Sequence, residues 1–237
     1  EYEWTLLSYL GRIKYDYAGK YLLSAAIRRD GSSRFGADTK WGVFPSVSAG
    51  WRVSEEDFFP QDNFAISELK LRASWGQTGN SQIPNYGSIA LLDDANAILG
   101  GGVNNGLTPN TSPNPNLSWE TTSTTDIGLE ASFFNNKLSI VADYYVADTE
   151  DMLLNVPVPA QSGFTTSLQN IGKIRNKGFE FAINANNISL GEVSWSSSFN
   201  ISTNDNEVLA LGEGQERIVS NGSRNVTEVG GTLGAHY

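Results

Sequence analysis

The sequence predicts an all-β fold, an antiparallel meander of about eight long strands. Three observations predict it: apolar residues recur at every second position, the connections alternate between short and long, and aromatic residues gather at strand ends. Successive side chains of a strand point to opposite faces, so a period of two marks strands with one apolar and one polar face.

The candidates follow in chain order. Residues 3–17 set Leu7, Tyr9, Ile13, Tyr15 and Tyr17 against Ser8, Arg12, Lys14 and Asp16. Residues 20–30 set Tyr21, Leu23, Ala25 and Ile27 against Ser24, Arg28 and Asp30. In 42–53, Val43, Val47, Ala49, Trp51 and Val53 alternate with Ser46, Ser48, Gly50 and Arg52; in 68–76, Leu69, Leu71, Ala73 and Trp75 alternate with Lys70, Arg72 and Ser74. Residues 119–134 oppose Ile127, Leu129, Ala131 and Phe133 to Asp126, Gly128, Glu130 and Ser132. The clearest pattern lies in 137–152, where Leu138, Ile140, Ala142, Tyr144 and Val146 share one face. Residues 175–189 and 192–206 repeat it with Phe179, Phe181 and Ile183, then Val193, Trp195, Phe199 and Ile201. Several of these exceed the ~5–6 residues usual in globular strands. They suit the ~9–11 tilted residues that cross a bilayer.

Ala18-Gly19, Asn135-Asn136 and Leu190-Gly191 read as two-residue hairpin turns, because Gly and Asn supply the positive φ such turns demand. Between them lie polar loops at 31–41, 77–118, 153–174 and from 207 onward. A meander places all the short turns at one end and all these loops at the other. Residues 54–67 are the one longer connection at the short end, with a helical turn expected near 54–59. Tyr15, Tyr17 and Tyr21 flank the first turn and Phe133 and Phe134 the second, whereas Trp41 and Trp119 sit at the opposite strand ends. Sorted loops and aromatics at both ends fit the wall of an outer-membrane barrel. From these features alone, a soluble carbohydrate-binding β-sandwich fits comparably well.

Composition narrows the function classes. Sixteen Lys+Arg against 26 Asp+Glu leave a formal charge of −10, the wrong sign for a protein that neutralises phosphates, so no nucleic-acid partner is expected. With no Cys, disulfides, thiolate zinc sites and cysteine nucleophiles are excluded. The lone histidine, His236, removes multi-His metal sites and puts any Ser-His-Asp triad at the chain's last residues. No catalytic residue, metal or cofactor is expected, and the chain does not read as an enzyme. No run approaches the ~18 apolar residues of a membrane-spanning helix. Glu1-Tyr2-Glu3-Trp4 lacks the basic start and apolar core of a signal peptide, and the Gly-rich stretch 230–237 has no closing element. The chain reads as part of something longer.

Local words then carry a resemblance. Leu10-Gly11-Arg12-Ile13-Lys14-Tyr15, Gly19-Lys20-Tyr21-Leu22-Leu23-Ser24-Ala25 and Arg29-Asp30-Gly31-Ser32-Ser33-Arg34-Phe35-Gly36 begin a series. It continues through Trp41-Gly42-Val43-Phe44-Pro45-Ser46, Leu69-Lys70-Leu71-Arg72-Ala73-Ser74-Trp75-Gly76 and Asn114-Pro115-Asn116-Leu117-Ser118-Trp119-Glu120. Phe134-Asn135-Asn136-Lys137-Leu138, Gly163-Phe164, Gln169-Asn170-Ile171-Gly172 and Asn176-Lys177-Gly178-Phe179-Glu180 complete it. In this order, over most of residues 7 to 210, the series resembles the barrel of TonB-dependent outer-membrane receptors of the SusC/RagA type. The resemblance implies a Bacteroidetes-like importer with a barrel of about 22 strands. It also implies a plug, a contact to TonB, a SusD-like surface lipoprotein, surrounding membrane lipid, and oligosaccharide or peptide cargo. Residues 1–237 are then expected to be a partial barrel domain, lacking plug, signal peptide and C-terminal strands and unable to close alone.

In such a wall Arg12, Lys14, Arg28, Arg52, Lys70 and Arg72 are expected to face inward with Asp16, Asp126, Glu130 and Asp143, since a charge facing lipid costs ~2–4 kcal/mol at mid-bilayer. Residues 77–118 are longer than a passive connection requires. Within them Tyr86, Asn85, Asn104 and Asn105 are the candidate substrate-binding residues, able to stack on a sugar or bond its hydroxyls; a partner-contact loop is the rival reading. Asp93-Asp94 lacks the spaced oxygens of a calcium loop. Residues 29–36 read first as a locked turn, because Asp-Gly-Ser-Ser is a strong turn former. Glu55-Glu56 and Glu150-Asp151 are adjacent loop acids, not the carboxyls ~5–9.5 Å apart that flank a glycosidic bond. Asn-X-Ser/Thr triplets at Asn110, Asn116, Asn187, Asn200, Asn221 and Asn225 follow from composition and are not read as glycosylation sites.

Overall fold

A computed structural model describes residues 3–60, 65–212, 214–220 and 224–236, without the side chains of 99, 186–190 and 220. The strands are β1 (Leu6–Tyr17), β2 (Tyr21–Ser32), β3 (Trp41–Arg52), β4 (Ile66–Asn80), β5 (Leu92–Leu99), β6 (Gly102–Pro109), β7 (Glu120–Phe133), β8 (Leu138–Glu150), β9 (Leu153–Pro157), β10 (Thr166–Asn170), β11 (Lys173–Leu190), β12 (Val193–Ala210), β13 (Arg217–Ser220), β14 (Asn225–Glu228) and β15 (Ala235–His236). Eight of them form one antiparallel sheet in the order β1-β2-β3-β4-β7-β8-β11-β12. These are the eight expected strands, with ends moved by up to four residues. The rest form separate small sheets, β5–β6, β9–β10 and β13–β14–β15.

Short turns form at the expected places, but the first two are longer than two residues: Tyr17 pairs with Tyr21 and Phe133 with Leu138, leaving three and four residues between them. Ala18 and Gly19 hold φ of 55° and 66°, and the Lys20 N–H closes the turn on the Tyr17 carbonyl at 3.0 Å. Asn135 and Asn136 adopt φ of 55° and 64°. The third turn is displaced by one residue: Leu190 pairs with Val193, so Gly191 and Glu192 are its centre. The helical turn at the short end is a single 3-10 turn, Val53–Glu55, and 61–64 of the same connection lie outside the described residues.

Two expectations are corrected. Residues 77–118 and 153–174 are not bare loops, since each carries a β-hairpin. Gly100 and Gly101, at φ of 63° and 82°, are the turn of the first. The sandwich is also excluded. A sandwich needs a second sheet against the apolar face, yet Ile13 and Ile127 on that face are 75% and 61% exposed, and the other sheets among the described residues have three strands or fewer.

Register separates the two faces. Arg72, Gly128, Asp143 and Glu180 form one row across β4, β7, β8 and β11. All ten expected inward charges occupy this polar face, and five meet in one cluster. Arg72 reaches Asp126 at 3.0 Å, Glu130 at 3.1 Å and Asp143 at 2.5 Å, while Lys70 lies 3.1 Å from Glu130. Gly128 makes room for it. A Cβ there would fall on the Asp143 carboxylate and 2.7 Å from the Arg72 Nε.

The opposite face is an apolar band. On β8 it runs from Leu138 to Val146; on β3 it runs from Trp51 to Trp41. Beyond it, on the same face, Arg175 pairs with Asp148 at 2.7 Å, Lys177 with Asp205 at 3.3 Å, and Lys173 with Glu150. Apolar residues therefore give way to ion pairs between Phe179 and Lys177. Trp41 lies at the band's edge, stacked on Tyr9 with centroids 6.1 Å apart and with the Arg29 guanidinium over it at 4.7 Å. Trp119 does not share this role. It is 7% exposed in the loop core, and its indole N–H donates to the Lys40 carbonyl at 3.1 Å.

Candidate functional site

The long connections pack into one layer at their end of the sheet. Phe35, Phe44, Ile83, Leu117 and Trp119 form its core, with Leu153 and Leu168 packed against them. Residues from three separate connections thus bury each other against Phe44 of β3. Polar ties follow the same plan: Thr39 Oγ1 donates to the Leu117 carbonyl at 2.6 Å, and Asn170 bonds both backbone groups of Ser118 at 2.8 Å. Glu120 accepts from Asn80 at 3.1 Å and from the Leu153 N–H at 3.0 Å.

Loop 29–36 is a structural lock, as its composition suggested. Ser32 is fully buried, Phe35 enters the core, and Asp30 is buried against Arg28 at 2.6 Å. Arg34 donates from Nε to Asn85 Oδ1 at 3.0 Å and from NH1 to the Ser81 carbonyl at 3.4 Å. The lock therefore fixes the root of the next connection.

The four candidate binding residues fall in two places. Asn85, held by Arg34, lines a cleft of about 340 Å³ between residues 84–112 and the β9–β10 hairpin. Tyr86 is its exposed neighbour, at a φ of 65°. Asn104 and Asn105 lie away from this turn, on β6. Adjacent residues of a strand face opposite ways, so the pair cannot present its two amides to one ligand. Sequence reasoning missed Asn110, Thr111, Asn155, Phe164 and Thr166, which complete the cleft. Phe164 is marked in the sequence only through the Gly163-Phe164 word and Asn110 only as an Asn-X-Ser/Thr triplet, neither as a binding residue.

The β5–β6 hairpin has a different character. Register puts Leu92, Ile98, Val103 and Leu107 on one face, with Asp94, Asn96 and Asn105 between them, and mostly small or polar residues on the other. Ile98 and Val103 are 79% and 70% exposed. Asp93 and Asp94 lie on opposite faces of the same hairpin, and no cluster of metal-binding side chains occurs among the described residues. Of the Asn-X-Ser/Thr sites, Asn221 and the side chain of Asn187 lie outside the described residues.

The geometry is that of a wall with an apolar outer band, a charged inner face and a built layer of loops at one end. The profile of the family described as TonB dependent receptor-like, beta-barrel, matches residues 5–237. The chain belongs to this family. It is a segment of an outer-membrane β-barrel of the SusC/RagA type. TonB-dependent receptor P26 of Formosa agariphila is 45% identical over 87% of the chain, and TonB-dependent receptor SusC of Bacteroides thetaiotaomicron 38% over 90%. The chain spans 21% and 22% of these relatives, about a fifth of their length. Among solved structures, the RagAB peptide transporter superposes with a TM-score of 0.87 at 33% identity, over 96% of the chain and 25% of its counterpart. The siderophore receptor PirA of Pseudomonas aeruginosa, at 15% identity and a TM-score of 0.52, shares the fold.

With the barrel established, the short turns lie at its periplasmic end. There Glu56 accepts from the Tyr21 hydroxyl at 2.5 Å, the Trp51 indole N–H at 2.9 Å and the Lys20 ammonium at 3.3 Å. These bonds, the Tyr21 hydroxyl foremost, hold its carboxyl below the usual value of 4.5. A depressed carboxyl stabilises the fold above its unfolded pKa and loses that contribution as pH falls through the lower folded value. The thermal advantage of the intact receptor over Glu56→Gln is accordingly expected at pH 7 and is expected to shrink as pH drops below about 4.5. An advantage independent of pH would contradict this account of the turn.

Proposed function

We propose that the chain forms wall and extracellular loops of an importer that takes up an oligosaccharide or peptide. Cargo binds outside and is released inward when TonB acts on a plug held within the barrel. A SusD-like lipoprotein covers the extracellular face. The observation that carries this reading is the built loop layer: connections that a passive barrel has no need to lengthen share one core and frame a cleft. Its amides and hydroxyls beside Phe164 suit an uncharged, hydroxyl- or amide-rich ligand. The RagAB structures, described as a peptide importer in open-open and closed-closed states, support a two-component machine.

The exposed apolar tip of the β5–β6 hairpin, Ile98 beside Val103, suits the covering lipoprotein, since exposed apolar surface marks interaction sites. Ile98→Asn with Val103→Ser is expected to weaken retention of the lipoprotein about tenfold in co-purification, a loss of about 1.4 kcal/mol. Barrel assembly should be unaffected, because the hairpin forms its own small sheet.

The test is affinity purification of the intact receptor from native membranes, with mass spectrometry of the co-purified lipoprotein and of released cargo. Peptides or glycans recovered with a lipoprotein fit the reading. A receptor that purifies without either, and whose gene deletion leaves peptide and glycan uptake unchanged, would overturn it.

A further inference from the structure

The apolar outer band is not uniform. Across β2, β3 and β4 it sinks into a groove of about 590 Å³. Two neighbouring register rows build it, Tyr15-Leu23-Ala49-Ala73-Ile127 and Ile13-Ala25-Val47-Trp75-Thr125. Its floor is formed where Ala25, Ala49 and Ala73 leave the sheet without long side chains. Tyr15 and Leu23 stand at one end, Trp75 and Ile127 at the other.

Depth follows from β3. Trp51 marks the periplasmic edge of the band and Trp41 the extracellular edge. Ala49 and Val47 are two and four positions from Trp51, so the groove opens into the periplasmic half of the bilayer.

Something of matching chemistry must fill it. Water is poorly held in a hollow so largely apolar, where Thr125 supplies the one aliphatic hydroxyl of the two rows. An unfilled hollow forfeits the dispersion contacts of every atom lining it. In a membrane the hydrophobic effect does not distinguish one apolar surface from another, so close packing decides what binds. The groove is continuous with the lipid-facing band, and the medium there is hydrocarbon.

We infer that the groove is a specific seat for one acyl chain of a phospholipid in the periplasmic leaflet. The small floor residues admit the chain against the sheet, and the aromatic and branched residues at each end hold it laterally. The seat is independent of the cargo and lipoprotein proposed above.

The test uses the intact receptor purified in mild detergent, with bound phospholipid quantified by mass spectrometry. The unaltered receptor is expected to retain phospholipid, and Ala49→Leu with Ala73→Leu, which fills the floor, should lower retention about tenfold. Ala142→Leu, on the outer face of β8 away from the groove, should leave it unchanged. A second measurement needs no substitution. Membranes containing a phospholipid with a diazirine in its acyl chain are irradiated, and labelling should concentrate on β2, β3 and β4 over the outer face of β8. Equal retention in the filled and unaltered receptors, or uniform labelling, would overturn the seat. So would a receptor dimer that the filling substitutions dissociate, because a second barrel rather than lipid would then occupy the groove.

Discussion

Arg72→Leu is expected to destabilise the intact barrel by about 2–3 kcal/mol, just under the ~3–5 kcal/mol for removing one partner from a fully buried ion pair. Arg72 is the hub of the inner face, within 3.1 Å of Asp126, Glu130 and Asp143. Its loss leaves Lys70 for Glu130, whereas among the described residues Asp126 and Asp143 make their ion pairs with Arg72. The penalty is held below the full range because Arg72 remains about one-third exposed, where solvent screens the carboxylates. Urea unfolding in bilayers measures it. Adding Asp143→Asn should recover part of the loss, because residues of one network couple. Additive losses in the double variant would mean that the cluster is not a unit.

The second large effect contrasts two adjacent residues of β8. Val141 and Ala142 are both apolar, so composition gives no reason to treat them differently. Register does. Val141 lies opposite Glu130 on the inner face, whereas Ala142 lies between Leu129 and Phe181 in the outer band. Ala142→Arg is expected to cost about 2–4 kcal/mol near mid-bilayer. Val141→Arg gains Glu130 as a neighbour and should cost less than about 1 kcal/mol. Assembly of each variant, read from the shift between folded and unfolded mobility on gels, measures the contrast. Equal costs would remove the assignment of faces.

Much of this architecture was legible in the residues. Period-two alternation located the eight wall strands, because one face meets hydrocarbon and the other does not. Gly and Asn located the turns, because a positive φ at each turn centre favours them. Loop interiors were less legible. Residues 92–109 mix Asn, Asp and Gly with isolated Leu, Ile and Val, a composition poor in the residues that favour strands. The hairpin they form is set by Gly100-Gly101 and by cross-strand register instead. Trp41 and Trp119 occupy equivalent sequence positions, each just before a conspicuous strand, yet one faces the membrane and the other fills the loop core. That difference arises from contacts with Phe35 and Phe44, which lie far from Trp119 in sequence and follow no local period. Asn104 and Asn105 misled for the opposite reason. Adjacent amides look like a paired site until a strand turns them to opposite faces. The Gly128 contact under Arg72 was hidden too, because a glycine on a charged face gives no sign of the side chain that crosses it.

The central claim is that one face of this sheet meets lipid and the other the barrel interior. The segment contains no Cys, so single cysteines carrying spin labels can be placed one at a time along β8 from Leu138 to Val146 in the intact receptor, reconstituted in bilayers. The measurement is accessibility to dissolved oxygen, which concentrates in lipid. High access at 138, 140, 142, 144 and 146, alternating with low access at the four positions between, is the result this account predicts. Oxygen access without a period of two, or all nine positions open to a water-soluble relaxant, would contradict it.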